Sequence, residues 1–277
     1  MLIVDAQVTF LLHRMFKLPN LLTAANMLSG VLAIILALGG RLDLAPFLVF
    51  AGMIFDFFDG FLARRLGESG EMGKQLDSLA DMVTFGVAPG VMIFALLKEY
   101  AFHMKMEQVY REGINNVWDG PIRIEGLMME YPWILIPLLI PFFSIFRLAK
   151  FNLDTRQTTS FIGLPTPANA LFFMAFPLGS YYEAGVFEIS DTISFWVFHP
   201  VTICFFVVIM SVMLVVELPL FSLKFQSFGW KGNEFRYIFL LISSGLIIFF
   251  VAWALALIVF LYLVLSVIEN KLQPKEK

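Results

Sequence analysis

The sequence predicts an all-α polytopic membrane helix bundle, with about eight transmembrane helices and both termini cytoplasmic. Three observations carry this. Of the 277 residues, 59% are hydrophobic and only 15% are charged, against roughly 45–50% and about 25% in soluble domains. Mean hydropathy is +0.82. Apolar runs near the length that crosses a hydrocarbon core, about 20 residues, recur along the chain. The same composition excludes intrinsic disorder, which needs low hydrophobicity and high charge. The single cysteine, Cys204, excludes a disulfide framework and a Cys-based zinc site. His13, His103 and His199 are too scattered for a histidine metal cluster, and a net charge of −3 leaves no footprint for nucleic-acid binding.

Residues 1–18 carry Arg14 and Lys17 among scattered apolar positions. They read as an interfacial helix, since no cleavage site follows an apolar run. The transmembrane domain is expected over 19–270. Its apolar runs are 20–40, 43–63, 77–97, 131–149, 166–182, 195–216 and 237–268. Pro137 and Pro141 are expected to kink the fourth. Gly163, Pro165 and Pro167 mark a rigid bend before the fifth. His199-Pro200 in the sixth reads as structural. The last run would be about 48 Å long as one helix, too long for a core of about 30 Å. It is therefore expected to turn near Phe250–Trp253, although no Gly or Pro marks the place. Residues 98–130 form the one long polar insert, expected as an extracytoplasmic loop or short surface helix. Residues 271–277 read as a cytoplasmic tail.

Lysine and arginine set the orientation. With both termini inside, Arg14, Lys17, Arg64, Arg65, Lys74, Arg147, Lys150, Arg156, Lys224, Lys231, Arg236, Lys271, Lys275 and Lys277 fall on the cytoplasmic side. Arg41, Lys98, Lys105, Arg111 and Arg123 fall outside. A seven-span alternative would move the last three lysines outward and weaken the bias.

The informative stretch is 56–81, DFFDGFLARRLGESGEMGKQLDSLAD. Asp56 and Asp59 stand three apart near the end of the second span. Asp77 and Asp81 stand four apart at the start of the third. Each spacing places a pair on one helix face. A short polar loop, Leu66–Gln75, makes the two helices antiparallel neighbours, so all four carboxylates can converge. Asp77 and Asp81 alone would suit a helix N-terminus. Asp56 and Asp59 would not, and ionisable groups at that depth mark function. Four carboxylates about 6 Å apart repel by roughly 15–20 kcal/mol in total at an effective dielectric near 20. Protonation would relieve this, but no function would then need four acids. Two divalent cations answer better, and all-oxygen ligation selects Mg²⁺ or Mn²⁺. Gly60 and Ala63 clear the helix face beside Asp59, Arg64 supplies a fork suited to phosphate, and Gly73 is expected in the loop opposite. The set describes a pyrophosphate site. Arg147 and Lys150, three apart on the same membrane side, suit a substrate phosphate or carboxylate, or else positive-inside anchoring by snorkelling side chains.

These residues resemble the CDP-alcohol phosphotransferases. Asp56, Asp59, Gly60, Ala63, Arg64, Gly73, Asp77 and Asp81 match the family signature in identity and spacing. The resemblance implies that the aspartates hold two metals, that Asp81 also deprotonates the acceptor alcohol, and that Gly60, Ala63, Arg64 and Gly73 contact CDP. Pro19-Asn20-Leu-Leu-Thr23 is similar to the family's nucleotide-side segment, so Asn20 and Thr23 are expected at the CDP, the alternative for Asn20 being a helix cap. The segments Asp77–Pro89, Arg147–Asn152, Phe161–Ala168, Leu223–Lys224 and Trp230–Tyr237 resemble the bacterial-type branch that uses serine. Its substrates would be CDP-diacylglycerol and L-serine, and its products phosphatidylserine and CMP. The resemblance further implies a homodimer in a bacterial-type inner membrane, with the site facing the cytoplasm. The alternatives are another acceptor, of glycerol 3-phosphate or inositol type, and an ion-coupled transporter. An acceptor phosphate would call for more convergent cations, and a transporter leaves Gly60, Ala63, Arg64 and Gly73 without a role.

Overall fold

A computed structural model describes residues 17–68, 70–111, 124–154, 161–182, 191–221, 229–230 and 233–272. The expected interfacial helix before Lys17 and most of the tail lie outside these residues. Among the described residues the chain is all-α apart from one two-stranded ribbon. Helix α1 spans Leu18–Leu38 and α2 spans Ala45–Arg65. Helix α3 (Glu71–Asp81) runs through a π segment, Met82–Val87, into α4 (Ala88–Arg111). Then come α5 (Ile124–Glu130), a 3₁₀ stretch (Pro132–Leu138) leading into α6 (Leu139–Leu153), and β1 (Phe161–Ile162). Helices α7 (Thr166–Tyr181), α8 (Asp191–Val197) and α9 (Pro200–Val215) follow, then β2 (Pro219–Leu220), α10 (Glu234–Phe250) and α11 (Ala254–Leu272).

Among the described residues, five helical stretches are long and apolar enough to cross a membrane: α1, α2, the continuous Glu71–Arg111, Pro132–Leu153 and α11. Helices α7, α9 and α10, with 16, 16 and 17 residues, are shorter. The polar insert differs from expectation. The third span does not stop at residue 97 but stays helical to Arg111, 41 residues in all. At about 1.5 Å per residue that is about 60 Å, twice a hydrocarbon core. Lys105 and Glu130, 2.8 Å apart, tie its far end to α5. The sixth run also starts later than 195. Pro200 opens α9, and the ring of His199 caps it by accepting from the Val201 N–H at 3.4 Å.

The break in the last run falls at Val251–Trp253. Val251 adopts φ +41°, unusual for a β-branched residue. Tertiary packing explains it: the Trp253 indole lies so close to α7 that a Cβ on Gly179 would sit 2.6 Å from its ring.

Three apolar cores fill the bundle among the described residues, one of them made by Phe221, Phe239, Tyr262 and Leu265 around α10 and α11. Ala33, Val49, Met92 and Met174 join α1, α2, α4 and α7. Ile93, Ile140, Phe173 and Val207 join α4, α6, α7 and α9. The small residues Ala33, Ala37 and Ala45 are fully buried, and such residues let apolar helices approach closely. The tightest approach is at Thr84, in the π segment. A Cβ on Gly30 would lie 2.7 Å from the Thr84 Cα, and one on Gly52 would lie 2.6 Å from its Cγ2. Three elements therefore meet one turn beyond Asp81. Pro89 brings no N–H to the turn that ends the π segment, and such segments recur at functional sites. Gly90 similarly seats α4 against the 3₁₀ stretch and the start of α6, where its Cβ would lie 3.2 Å from the Pro137 carbonyl oxygen and 2.9 Å from the Pro141 Cδ. Pro137 thus sits in the 3₁₀ lead-in and Pro141 just after it.

Candidate active site

The loop between the aspartate pairs is shorter than expected. Helix α2 ends at Arg65 and α3 begins at Glu71, with Gly67 at φ +66° in the turn between them. Gly73 therefore lies in the first turn of α3, not in the loop, and faces α1: its Cβ would be 3.7 Å from the Asn20 Oδ1. Asp77 is well inside a helix rather than at its start, so an N-terminal dipole gives no account of it.

Asp56, Asp59 and Asp77 each bring a carboxylate oxygen within 4.8 Å of the others. At that separation each pair of charges repels by about 3–4 kcal/mol at an effective dielectric near 20. Asp81 lies outside this triad. It lines the same cavity, and its Oδ1 accepts from the Asn26 Nδ2 at 3.2 Å. The cavity measures about 580 Å³. Its walls include all four aspartates, Asn20, Thr23, Gly60, Ala63, Arg64, Gly73 and Arg147.

Arg64 folds back over the helix face that Gly60 leaves bare. A Cβ there would lie 3.4 Å from its Nη1. Arg65 does not reach the cavity. Asn20 is the third residue of α1 rather than its cap, which is Lys17. Thr23 reaches the acids instead of standing free. Its hydroxyl contacts the Asp59 Oδ2 at 2.5 Å and the Pro19 carbonyl at 3.1 Å. A hydroxyl has one proton, and the shorter contact to the carboxylate takes it.

Arg147 and Lys150 part company. Arg147 is only 4% exposed, donates from Nε to the Leu164 carbonyl at 3.0 Å, and lines the cavity. Its guanidinium also lies 5.3 Å from the Phe151 ring centroid. The bend at Gly163 (φ +80°) makes this possible. The Gly163 N–H donates to the Leu218 carbonyl at 2.8 Å, continuing the β1–β2 pairing and presenting Leu164 to the arginine. Lys150 does not line the cavity. It pairs with Glu217 at 2.7 Å on an exposed surface, the position that suits the anchoring alternative.

Sequence reasoning overlooked Asn26, although a signal existed. Asn20, Thr23 and Asn26 recur every three residues along an otherwise apolar span, which places them on one face. It also gave Pro165 and Pro167 a bending role only, whereas with Thr166 they line the cavity. Asn152, at the end of α6, ties this helix to α3 by donating to the Ser78 hydroxyl at 2.8 Å.

Known proteins are similar to this chain. An archaetidylserine synthase of Methanothermobacter thermautotrophicus is 32% identical over 168 residues, 60% of each chain. A CDP-diacylglycerol–serine O-phosphatidyltransferase of Bacillus subtilis is 32% identical over 150 residues, 54% of this chain and 69% of that one. One of Saccharomyces cerevisiae is 29% identical over 222 residues, 72% and 68%. The chain thus spans from just under two thirds to about two thirds of the length of these relatives. The family model described as CDP-alcohol phosphatidyltransferase matches residues 16–268, which include the four aspartates, the cavity lining and every element from α1 to α10. The chain belongs to the CDP-alcohol phosphatidyltransferase family.

Proposed function

We propose that the chain transfers a phosphatidyl group from CDP-diacylglycerol to L-serine, giving phosphatidylserine and CMP. The observation that carries this is the cluster of Asp56, Asp59 and Asp77 in a cavity that also holds Asp81, Arg64 and Arg147. Serine as acceptor is common to the names of the relatives above.

The donor set fits two Mg²⁺ or Mn²⁺ ions. It is all oxygen, it is crowded, and among the described residues no cation pairs with the triad. Asp56, Asp59, Asp77 and Asp81 would hold the ions, which when bound neutralise the pyrophosphate and the leaving CMP. The chain's own groups do the rest. Arg64 offers its fork to a phosphate. Gly60, Ala63 and Gly73 leave room for the nucleotide beside Asn20, with Thr23 at its edge. Asp81 takes the proton of the serine hydroxyl. That oxygen bonds to the phosphorus carrying diacylglycerol, the bond from this phosphorus to the CMP oxygen breaks, and CMP leaves with the electron pair. Arg147, buried at the cavity wall, receives the serine carboxylate.

In this reading the 19–270 domain spans the membrane eight times, with residues 98–130 outside, both termini inside and the cavity at the cytoplasmic face of a bacterial-type inner membrane. The lysine and arginine bias supports it. The working unit is a homodimer. The test is CMP release by the purified chain with CDP-diacylglycerol, with and without serine, beside a panel of other alcohols. Serine-dependent release is expected, and release that serine does not raise while another alcohol does refutes the acceptor.

A further inference from the structure

Asn26 is fully buried on α1, in the middle of an apolar span. Its amide is used on one side only. The Nδ2 donates to the Asp81 Oδ1 at 3.2 Å, while the Oδ1 finds no hydrogen-bond partner among the described residues. A buried acceptor left unpaired costs about 1–3 kcal/mol, so stability gives no reason for this residue. Turning the amide over would set oxygen against carboxylate, which fixes the orientation seen. The surroundings hold it there. The Asn26 carbonyl accepts from the Thr84 hydroxyl at 2.9 Å. The unpaired Oδ1 lies over Gly52, where a Cβ would approach to 2.9 Å. Elements from α1, α2 and the π segment thus converge on one amide whose polar contact is with Asp81.

We propose that Asn26 is a positioning residue for Asp81: its Nδ2 holds one carboxylate oxygen, so the other is presented to the acceptor alcohol in the cavity. Thr23, one turn earlier on the same face, does the equivalent for Asp59. Helix α1 therefore supplies one donor to an acid of α2 and one to an acid of α3. The inference rests on the assignment of Asp81 as the base.

The experiment compares Asn26→Leu, which removes the donor at similar volume, Asn26→Ala, in case the larger side chain prevents folding, and Asp81→Asn. Serine-dependent turnover is measured beside CMP affinity by calorimetry with Mg²⁺ or Mn²⁺ present. Residues that orient a site group typically matter by about 10–100-fold. The Asn26 variants should lose kcat by that factor while CMP affinity and the KM for CDP-diacylglycerol stay within about threefold. Turnover within about twofold of the parent, or CMP affinity falling in step with kcat, overturns the proposal. Parental turnover in Asp81→Asn would instead overturn the base assignment beneath it. An inactive Asp81→Asn beside a fully active Asn26→Leu would sink the positioning role alone.

Discussion

Thr23 has one hydroxyl proton, which can serve either Asp59 or the nucleotide. The family resemblance implies a place for it at the nucleotide, whereas the structure gives its proton to the Asp59 Oδ2 at 2.5 Å. Thr23→Val keeps the shape and removes only the hydroxyl. Both groups are buried, with 5% exposure each, so water does not replace the lost bond. A hydrogen bond to a charged group contributes about 1.5–3 kcal/mol, or roughly 10–150-fold at about 1.4 kcal/mol per decade. If Asp59 is a metal ligand oriented by Thr23, that factor appears in metal affinity. The assay is serine-dependent CMP release titrated with Mg²⁺ or Mn²⁺. The half-saturating metal concentration should rise about 10–100-fold. Turnover at saturating metal should recover to within about threefold, and Thr23→Ser should behave as the parent. An unchanged metal curve with a raised KM for CDP-diacylglycerol would refute the reasoning and return Thr23 to the nucleotide.

Other consequences can be checked in the same system. Chelation by EDTA should abolish turnover, and Mg²⁺ or Mn²⁺ should restore it; full activity in chelator would exclude the divalent site. Arg64→Ala should raise the KM for CDP-diacylglycerol at least about tenfold, as expected for a lost charge-assisted contact, whereas Arg65→Ala, outside the cavity, should stay within about twofold; equal losses would reduce both to a basic belt. Gly30→Ala should lower thermal stability, because its Cβ would meet the Thr84 backbone at 2.7 Å and overpacking costs about 1–3 kcal/mol; an unchanged melting temperature would mean that α1 can move away freely.

Much of this protein was legible from local pattern. Burial in lipid demands long apolar helices, so composition and run length alone indicate the all-α membrane class. Helical spacing likewise places Asp56 with Asp59 and Asp77 with Asp81, whatever the rest of the chain does. The family signature follows from residue identity and spacing, which are read directly. The break near Phe250–Trp253 was expected from run length, but length alone does not decide it, since Glu71–Arg111 runs unbroken for 41 residues. The reason for its position is tertiary: Trp253 docks on Gly179 of a helix some seventy residues earlier.

What the tertiary structure alone decided is how the polar groups pair. Asn20, Thr23 and Asn26 share a face in any α-helix, but the sequence does not say which acids they meet. The close approach of Gly30 and Gly52 to Thr84 sets the depth at which α1 lies against α2 and α3, and hence that Thr23 meets Asp59 and Asn26 meets Asp81. The same holds for the cations. Arg147 and Lys150 look equivalent on a helical wheel. The β1–β2 ribbon brings the Leu164 carbonyl to one, and Glu217, sixty-seven residues away, captures the other. Local periodicity is a property of the backbone and can be read along the chain, whereas the partner of a buried polar group depends on where distant segments come to rest.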